Sequence, residues 1–411
     1  MTQRVEHVTC LGCGCSCDDV TVTVEQGRIV AADPVCDLGR DWMGDGTVPQ
    51  EVRVEGRSAS LDDAIRQAAA LLREAAGRCL VHIGPNLSSQ AQRIAVAVGD
   101  RLNAAVDSFT SATAAHGLTT IQRRGRVSAT LGEIRNRADT LLFWGVDPTE
   151  RYPRFLARYA VEPVGTHIPQ GRKDRQVISV HIGADRAWPG ADQVLELDPD
   201  QEVAALSFLR AAVLGVKLPK GSDAATFAAA LVPRLTEPRY VVVVHDAEPT
   251  ALSRNPLRVE GLIALTEALN GPTRSALCSL RAGGNRVGAE AVLTSHTGYP
   301  LAVDYERGYP RYDPNARGLE RLGAGAFNAV LLVGSPPADA KFPSNVSTVV
   351  IGPRASESPI TPRVAIDTGV AGVHEGGTAY RMDEVPLRLR PPLEGARTVV
   401  EVLRALAEAL A

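Results

Sequence analysis

Cys79-Leu80-Val81-His82-Ile83-Gly84-Pro85-Asn86 is a short run of strand formers closed by turn formers. A helix is expected directly after it, from about Ser88 to Leu102. Another is expected before it, capped by Ser60, with Asp62 and Asp63 in its first turn and a stop at Gly77. A serine at that position lends its oxygen to an orphan backbone N–H, and acids favour the positive helix end. The same alternation recurs along the chain. Asp139–Trp144, Val177–His181, Tyr240–Val244, Ala329–Val333 and Thr348–Ile351 read as strands, with amphipathic helices such as Glu202–Leu214 and Val259–Leu269 between them. Uninterrupted apolar strands separated by helices imply parallel sheets covered on both faces, which is an α/β fold.

The 411 residues are enough for two or three domains with ample core. Aromatics make up only 4% of the chain, so that core must be mainly aliphatic and alanine. A net charge of −3 argues for neither nucleic acid nor an anionic membrane surface as partner. The N-terminal residues lack an apolar signal region, and no segment is long and apolar enough to span a bilayer. A cytoplasmic location is expected, where free thiols persist.

Four of the seven cysteines fall in Cys10-Leu-Gly-Cys13-Gly-Cys15-Ser-Cys17, and Cys36 follows after a gap. Between them Val20–Val24 alternates as a strand, Glu25–Arg28 turns and Ile29–Ala32 returns, so a hairpin would carry Cys36 back to the knot. Thiolates are soft ligands for zinc or iron–sulfur clusters, and a cluster needs four. Cys10, Cys13, Cys17 and Cys36 supply four and leave Cys15 spare. A zinc ribbon would need a second cysteine or histidine near Cys36, which the sequence does not offer. An odd, lopsided set of cysteines does not suit a disulfide framework. Zinc and chance clustering remain the alternatives, and a [4Fe–4S] cluster is the favoured reading.

Ligands of open α/β sheets bind at strand carboxyl ends, where glycines let backbone N–H groups approach phosphates. Gly145-Val-Asp147-Pro148, Gly334-Ser335-Pro336 and Gly352-Pro353 are such loops. They favour a nucleotide-like ligand, although any α/β protein has similar turns. No Walker motif and no G-x-G-x-x-G fingerprint follows a strand, so ATP and NAD are not indicated. Glu375-Gly-Gly-Thr-Ala-Tyr-Arg381 before Val385–Arg390 suits a hairpin turn or a loop gripping a polar cofactor. The terminal helix, Val399–Leu410, has one apolar face for core or partner contact.

These pieces resemble the molybdopterin-dependent oxidoreductases, and specifically the B-type subunits of formylmethanofuran dehydrogenases. The resemblance runs from about Val8 to Arg390. It rests on the cysteine spacing, on Gly132–Asp139 leading into Phe143-Trp-Gly-x-Asp147-Pro148 and Pro153-Arg154, and on Thr297–Pro300, Gly308–Pro314 and Glu375–Met382. It implies a [4Fe–4S] cluster on Cys10, Cys13, Cys17 and Cys36. It also implies a tungsto- or molybdopterin guanine dinucleotide held by Trp144, Gly145, Asp147, Gly334, Ser335, Gly376, Gly377 and Thr378. The family's active-site histidine falls on His116 and its arginine on Arg281. Beside a metal, such an imidazole and cation would relay a proton and hold formate.

Two departures bear on activity. The family places a metal-ligating cysteine or selenocysteine immediately before that histidine, where this chain has Ala115, which cannot ligate. Its Asp-Pro-Arg turn is replaced by His181-Ile-Gly-Ala-Asp185. The resemblance also reaches the B-type subunit of a bacterial formyltransferase/hydrolase complex, which moves a formyl group without electron transfer. The expectation is a redox-silent structural subunit of such a complex, with A-, C- and D-type partner subunits and a methanofuran-like carrier. An active dehydrogenase interconverting carbon dioxide and formate is the alternative. The expected organisation is a cysteine module at 1–56, an α/β domain from 57–140 plus 288–390, an inserted α/β domain at 141–287 and a terminal helix at 391–411. The β-barrel domain that ends the larger pterin enzymes is expected to come from the D-type partner.

Overall fold

The computed structural model describes residues 2–248, 255–316, 318–335 and 342–411. Pro336, quoted above in a strand-end loop, lies outside them. The chain divides into two units, one formed by Met1–Ala115 with Gly283–Ala411 and the other by His116–Ala282.

The first unit is built on a nine-stranded sheet. At its centre Ala105–Ser108, Cys79–Ile83, Ala329–Val333, Ser347–Gly352 and Val364–Asp367 lie side by side and parallel. Their side chains alternate between two layers, as the period of two requires. Cys79, Val81 and Ile83 join Leu331, Val349 and Ile351 in a core shared with helices Leu61–Glu74, Ser89–Arg101, Arg286–Thr297 and Val399–Ala409. Leu80, Val330, Leu332 and Val350 face a second layer with Leu322 and Phe327. Ser60 and Ser88 cap their helices by accepting from Asp63 N and Ala91 N, each at 3.1 Å. Thr398 and Glu401 form a capping box on the terminal helix, which packs on helices 61–74 and 89–101 as part of this unit.

Short edge strands complete the sheet. Val52–Val54 pairs antiparallel with strand 364–367, so the sheet begins ahead of residue 57. A separate three-stranded sheet places Val20–Glu25 between Thr2–Val8 and Arg28–Asp33, which forms the hairpin before Cys36. Gly377–Tyr380 and Pro386–Leu389 make a two-stranded ribbon.

The second unit is a five-stranded parallel sheet in the order Gln193–Leu197, Gln176–Ile182, Thr140–Trp144, Tyr240–Asp246, Arg274–Leu280. Its core joins Leu142, Ile178, Val241 and Val243 to the helices Glu202–Val213, Asp223–Thr236 and Leu257–Leu269. The unit spans His116–Ala282 and opens inside the helix Ser111–Arg124. Among the described residues no helix is long and apolar enough to cross a membrane.

Candidate functional site: a thiol knot and the strand-end loops

The 20–33 hairpin delivers Cys36 to the start of the helix Asp37–Met43. Two backbone bonds close the knot itself, Cys10 N to Cys17 O at 2.8 Å and Ser16 N to Cys13 O at 3.1 Å. Glycines set how closely the two segments approach. A β-carbon on Gly12 would stand 2.4 Å from Leu38 O, and one on Gly39 would stand 2.9 Å from Cys10 Sγ. Helix 37–43 therefore lies directly against the 10–17 loop. Cys10, Cys13 and Cys17 are each 6% exposed, and Cys36 is half-buried.

Burial pushes the Cys10 thiol up to about 12, and the neighbouring charges of Cys13, Cys17 and Cys36 push in the same direction. The other three sulfurs therefore lie within electrostatic reach of Cys10. Gly12 N–H donates to Cys10 Sγ at 3.4 Å. Yet among the described residues no three His, Cys, Asp or Glu side chains are arranged to hold a metal ion. By number, softness and N–H···S donation, the four thiols are chemically suited to a soft-metal group such as an iron–sulfur cluster. Two buried donors of the module, Ser16 Oγ and Trp42 Nε1, have no hydrogen-bond partner among the described residues.

In the first sheet the strand order reverses between strands 79–83 and 329–333, the place where open α/β sheets receive ligands. Here the loops bind each other. Asn86 Nδ2 donates to Ser335 Oγ at 2.7 Å, Ser335 N donates back to Asn86 Oδ1 at 3.1 Å, and Ser335 Oγ donates to Pro353 O at 2.9 Å. Gly334, at φ +103°, leaves no room for a β-carbon, which would meet Asn86 Oδ1 at 2.7 Å. These glycines serve the mutual approach of strand ends.

The second sheet reverses between strands 140–144 and 240–246. Arg151 pairs there with buried Asp246, and Arg281 Nε donates to buried Glu248 Oε1 at 2.6 Å. Trp144 is fully buried and gives its indole N–H to Glu202 Oε1 at 2.8 Å. Glu202 also takes Arg258, which holds Asp185 at 2.6 Å. A β-carbon on Gly145, at φ +56°, would press on Asp185 and Arg258. Asp147 Oδ1 accepts from Thr149 N and Oγ1 in its own turn.

Gly376, Gly377 and Thr378 line a cavity of about 700 Å³ with Gln90, Arg388 and Arg390. Thr378 N donates to Gln90 Oε1 at 2.9 Å. Of the residues expected around a pterin dinucleotide, these three border open space with cations beside it. Trp144, Asp147 and Ser335 spend their polar atoms within the chain. His116 is exposed on helix 111–124, Ala115 beside it is buried, and Arg281 is buried and ion-paired. Sequence patterns did not single out Glu202, Asp246, Glu248 and Arg258, whose only signal was an acid or base at a strand end or in the first turn of a helix.

An open α/β protein with a buried four-thiol knot is thus the class that the fold and site define. No model of a known protein family matches the chain. It is 30% identical to the B-type subunit of a tungsten-containing formylmethanofuran dehydrogenase 2 of Methanococcus maripaludis, over 98% of this chain and 97% of that one. The corresponding protein of Methanocaldococcus jannaschii is also 30% identical, over 99% and 98%. The B-type subunit of the formyltransferase/hydrolase complex Fhc of Methylorubrum extorquens is 27% identical over 80% and 87%. A chain in the crystal structure of that organism's FhcABCD complex with methylofuran superimposes with a TM-score of 0.73 at 25% identity, covering 87% of this chain and 98% of that one. The chain belongs to the family of formylmethanofuran dehydrogenase B-type subunits.

Proposed function

We propose that the chain is the B-type subunit of a formyltransferase/hydrolase complex, acting as architecture while its partners handle the formyl group. The observation that carries this reading is the likeness along most of the chain to a component of the methylofuran-bound FhcABCD complex. Ala115 supports it, because a methyl group cannot replace the thiolate or selenolate that the family resemblance assigns to that position. The partners are A-, C- and D-type subunits, with a methanofuran-like carrier held by them.

In this reading Cys10, Cys13, Cys17 and Cys36 hold a [4Fe–4S] cluster. Such a group supplies four metal–thiolate links that tie helix 37–43 to the 10–17 loop. Structural metal sites contribute their binding free energy to folding. Because Cys10 is held protonated by burial, loading the site releases protons and weakens as pH falls. The spent polar atoms at both strand-order reversals give a pterin dinucleotide little to bind there, and no chemistry is routed through one.

A second reading, an active tungsten or molybdenum dehydrogenase subunit, is favoured by the two tungsten-enzyme relatives that cover nearly the whole chain. Elemental analysis of the complex purified without oxygen separates the two. About four irons per chain without tungsten or molybdenum supports the structural subunit. Tungsten or molybdenum at one per chain, with formate oxidation, overturns it in favour of the dehydrogenase. Absence of iron leaves the architectural role and removes the cluster. Cys13→Ser tests the staple directly, since unchanged folding and assembly would contradict it.

A further inference from the structure

We infer that the Ser16 hydroxyl donates a hydrogen bond to a sulfur of the iron–sulfur group on the four thiols. This inference rests on the cluster reading above. Ser16 is 1% exposed, and its Oγ has no hydrogen-bond partner among the described residues. It sits between Cys15 and Cys17, both buried, and its N–H is fixed to Cys13 O at 3.1 Å. The residue is therefore pinned among the cysteines while its one O–H donor stays unspent. A buried hydroxyl without an acceptor is costly, and native proteins rarely leave one so. Cluster sulfurs accept such bonds, and hydrogen bonds to them help set a cluster's reduction potential. The reduced cluster carries more negative charge, so a donor favours it and raises the potential.

The backbone at Ser16 supplies a clean variant. Its φ of +39° lies in the left-handed region, which glycine adopts readily. Ser16→Gly removes the hydroxyl without opposing the local conformation, and Ser16→Ala removes it with the β-carbon kept. The test uses the whole complex, purified anaerobically, with three readouts: iron per chain, an EPR-monitored redox titration, and the resonance Raman Fe–S stretches in H2O and D2O.

The expected result is unchanged iron in either variant, a more negative midpoint potential, and loss of a D2O-sensitive Fe–S stretch seen in the wild type. Full iron with an unchanged potential and D2O response overturns the inference. If both variants lose iron, Ser16 serves assembly of the knot rather than the bound group's potential, which overturns the inference. A wild-type complex without iron refutes the cluster reading itself, and this inference with it.

Discussion

Gly12→Ala should dismantle the thiol knot without touching a cysteine. The new β-carbon would lie 2.4 Å from Leu38 O, and ordinary contact begins near 3.4 Å, so loop and helix must part by about 1 Å. Both facing groups are backbone, so neither can rotate away. Overpacking of this kind costs about 1–3 kcal/mol, and the upper end applies where backbone must move. Gly39→Ala is the informative companion. Its β-carbon would meet Val35 Cγ2 at 2.3 Å and Cys10 Sγ at 2.9 Å, so the stiff Val35 side chain must move by about 1 Å and the sulfur by about 0.5 Å. Alanine in a helix recovers about 1 kcal/mol over glycine. Gly39→Ala, which meets side chains rather than backbone, should therefore lose less stability than Gly12→Ala, and both should lower iron occupancy. The assay is iron and acid-labile sulfide per chain, beside a urea melt of each variant. Gly12→Ala with full iron and wild-type stability would refute the close approach of the two segments.

Three further outcomes follow from the geometry. Glu202→Ala should destabilise the protein by about 3–5 kcal/mol in urea unfolding, because Arg258 stays buried with one partner fewer and the Trp144 indole loses its acceptor. Asn86→Ala should cost about 1 kcal/mol, since half-buried Ser335 loses the acceptor of its N–H and the donor to its Oγ, and a wild-type melt would show that the loop is held otherwise. Burial holds His82 and His374 below their ordinary 6.5, and His374 needs its neutral ring to accept from Val370 N while donating to Gly46 O. The unfolded chain therefore binds more protons below about 6.5, so this stability is complete above that pH and falls as pH drops, by up to about 1.4 kcal/mol per unit per ring. His374→Gln should flatten that decline, and an unchanged slope from about pH 7 to 5 would count against a neutral buried ring.

The central strands were legible because five or six consecutive apolar residues bounded by turn formers have few other uses. Ser60, Ser88 and Thr398 cap helices for the same local reason, with side-chain oxygen and N–H only three residues apart. The edge strands were not legible. Thr2–Val8 is exposed along most of its length, and Val52–Val54 is too short to show a period. The unit boundary at His116 was hidden because it falls inside a helix, with no glycine or proline tract to mark it. At the site, spacing picked out four cysteines, of which Cys10, Cys13 and Cys17 are buried and Cys36 is half-buried. Glycines at strand ends were read as approach points for phosphate, but at Gly334 and Gly145 the approaching groups are Asn86, Asp185 and Arg258. Sequence shows where backbone can be approached closely, not by what.

That difference separates the knot from the loops. At the reversal of the first sheet, Ser335 has both its N–H and its hydroxyl engaged by neighbouring loops. At the reversal of the second, acids buried at the strand end meet arginines of the same unit. In each place the polar capacity that an α/β sheet usually turns toward a ligand is satisfied from within, and burying it unpaired would cost several kcal/mol. The knot runs the other way. Three thiols are nine-tenths buried, a fourth lies within electrostatic reach of the first, and the hydroxyl between two of the cysteines has no acceptor. A protein that closes its strand ends with its own side chains, yet leaves the Ser16 hydroxyl buried without an acceptor among the described residues, keeps donor capacity to spend in the knot. For this chain, whether iron occupies the knot therefore bears on function more directly than any residue at the strand ends.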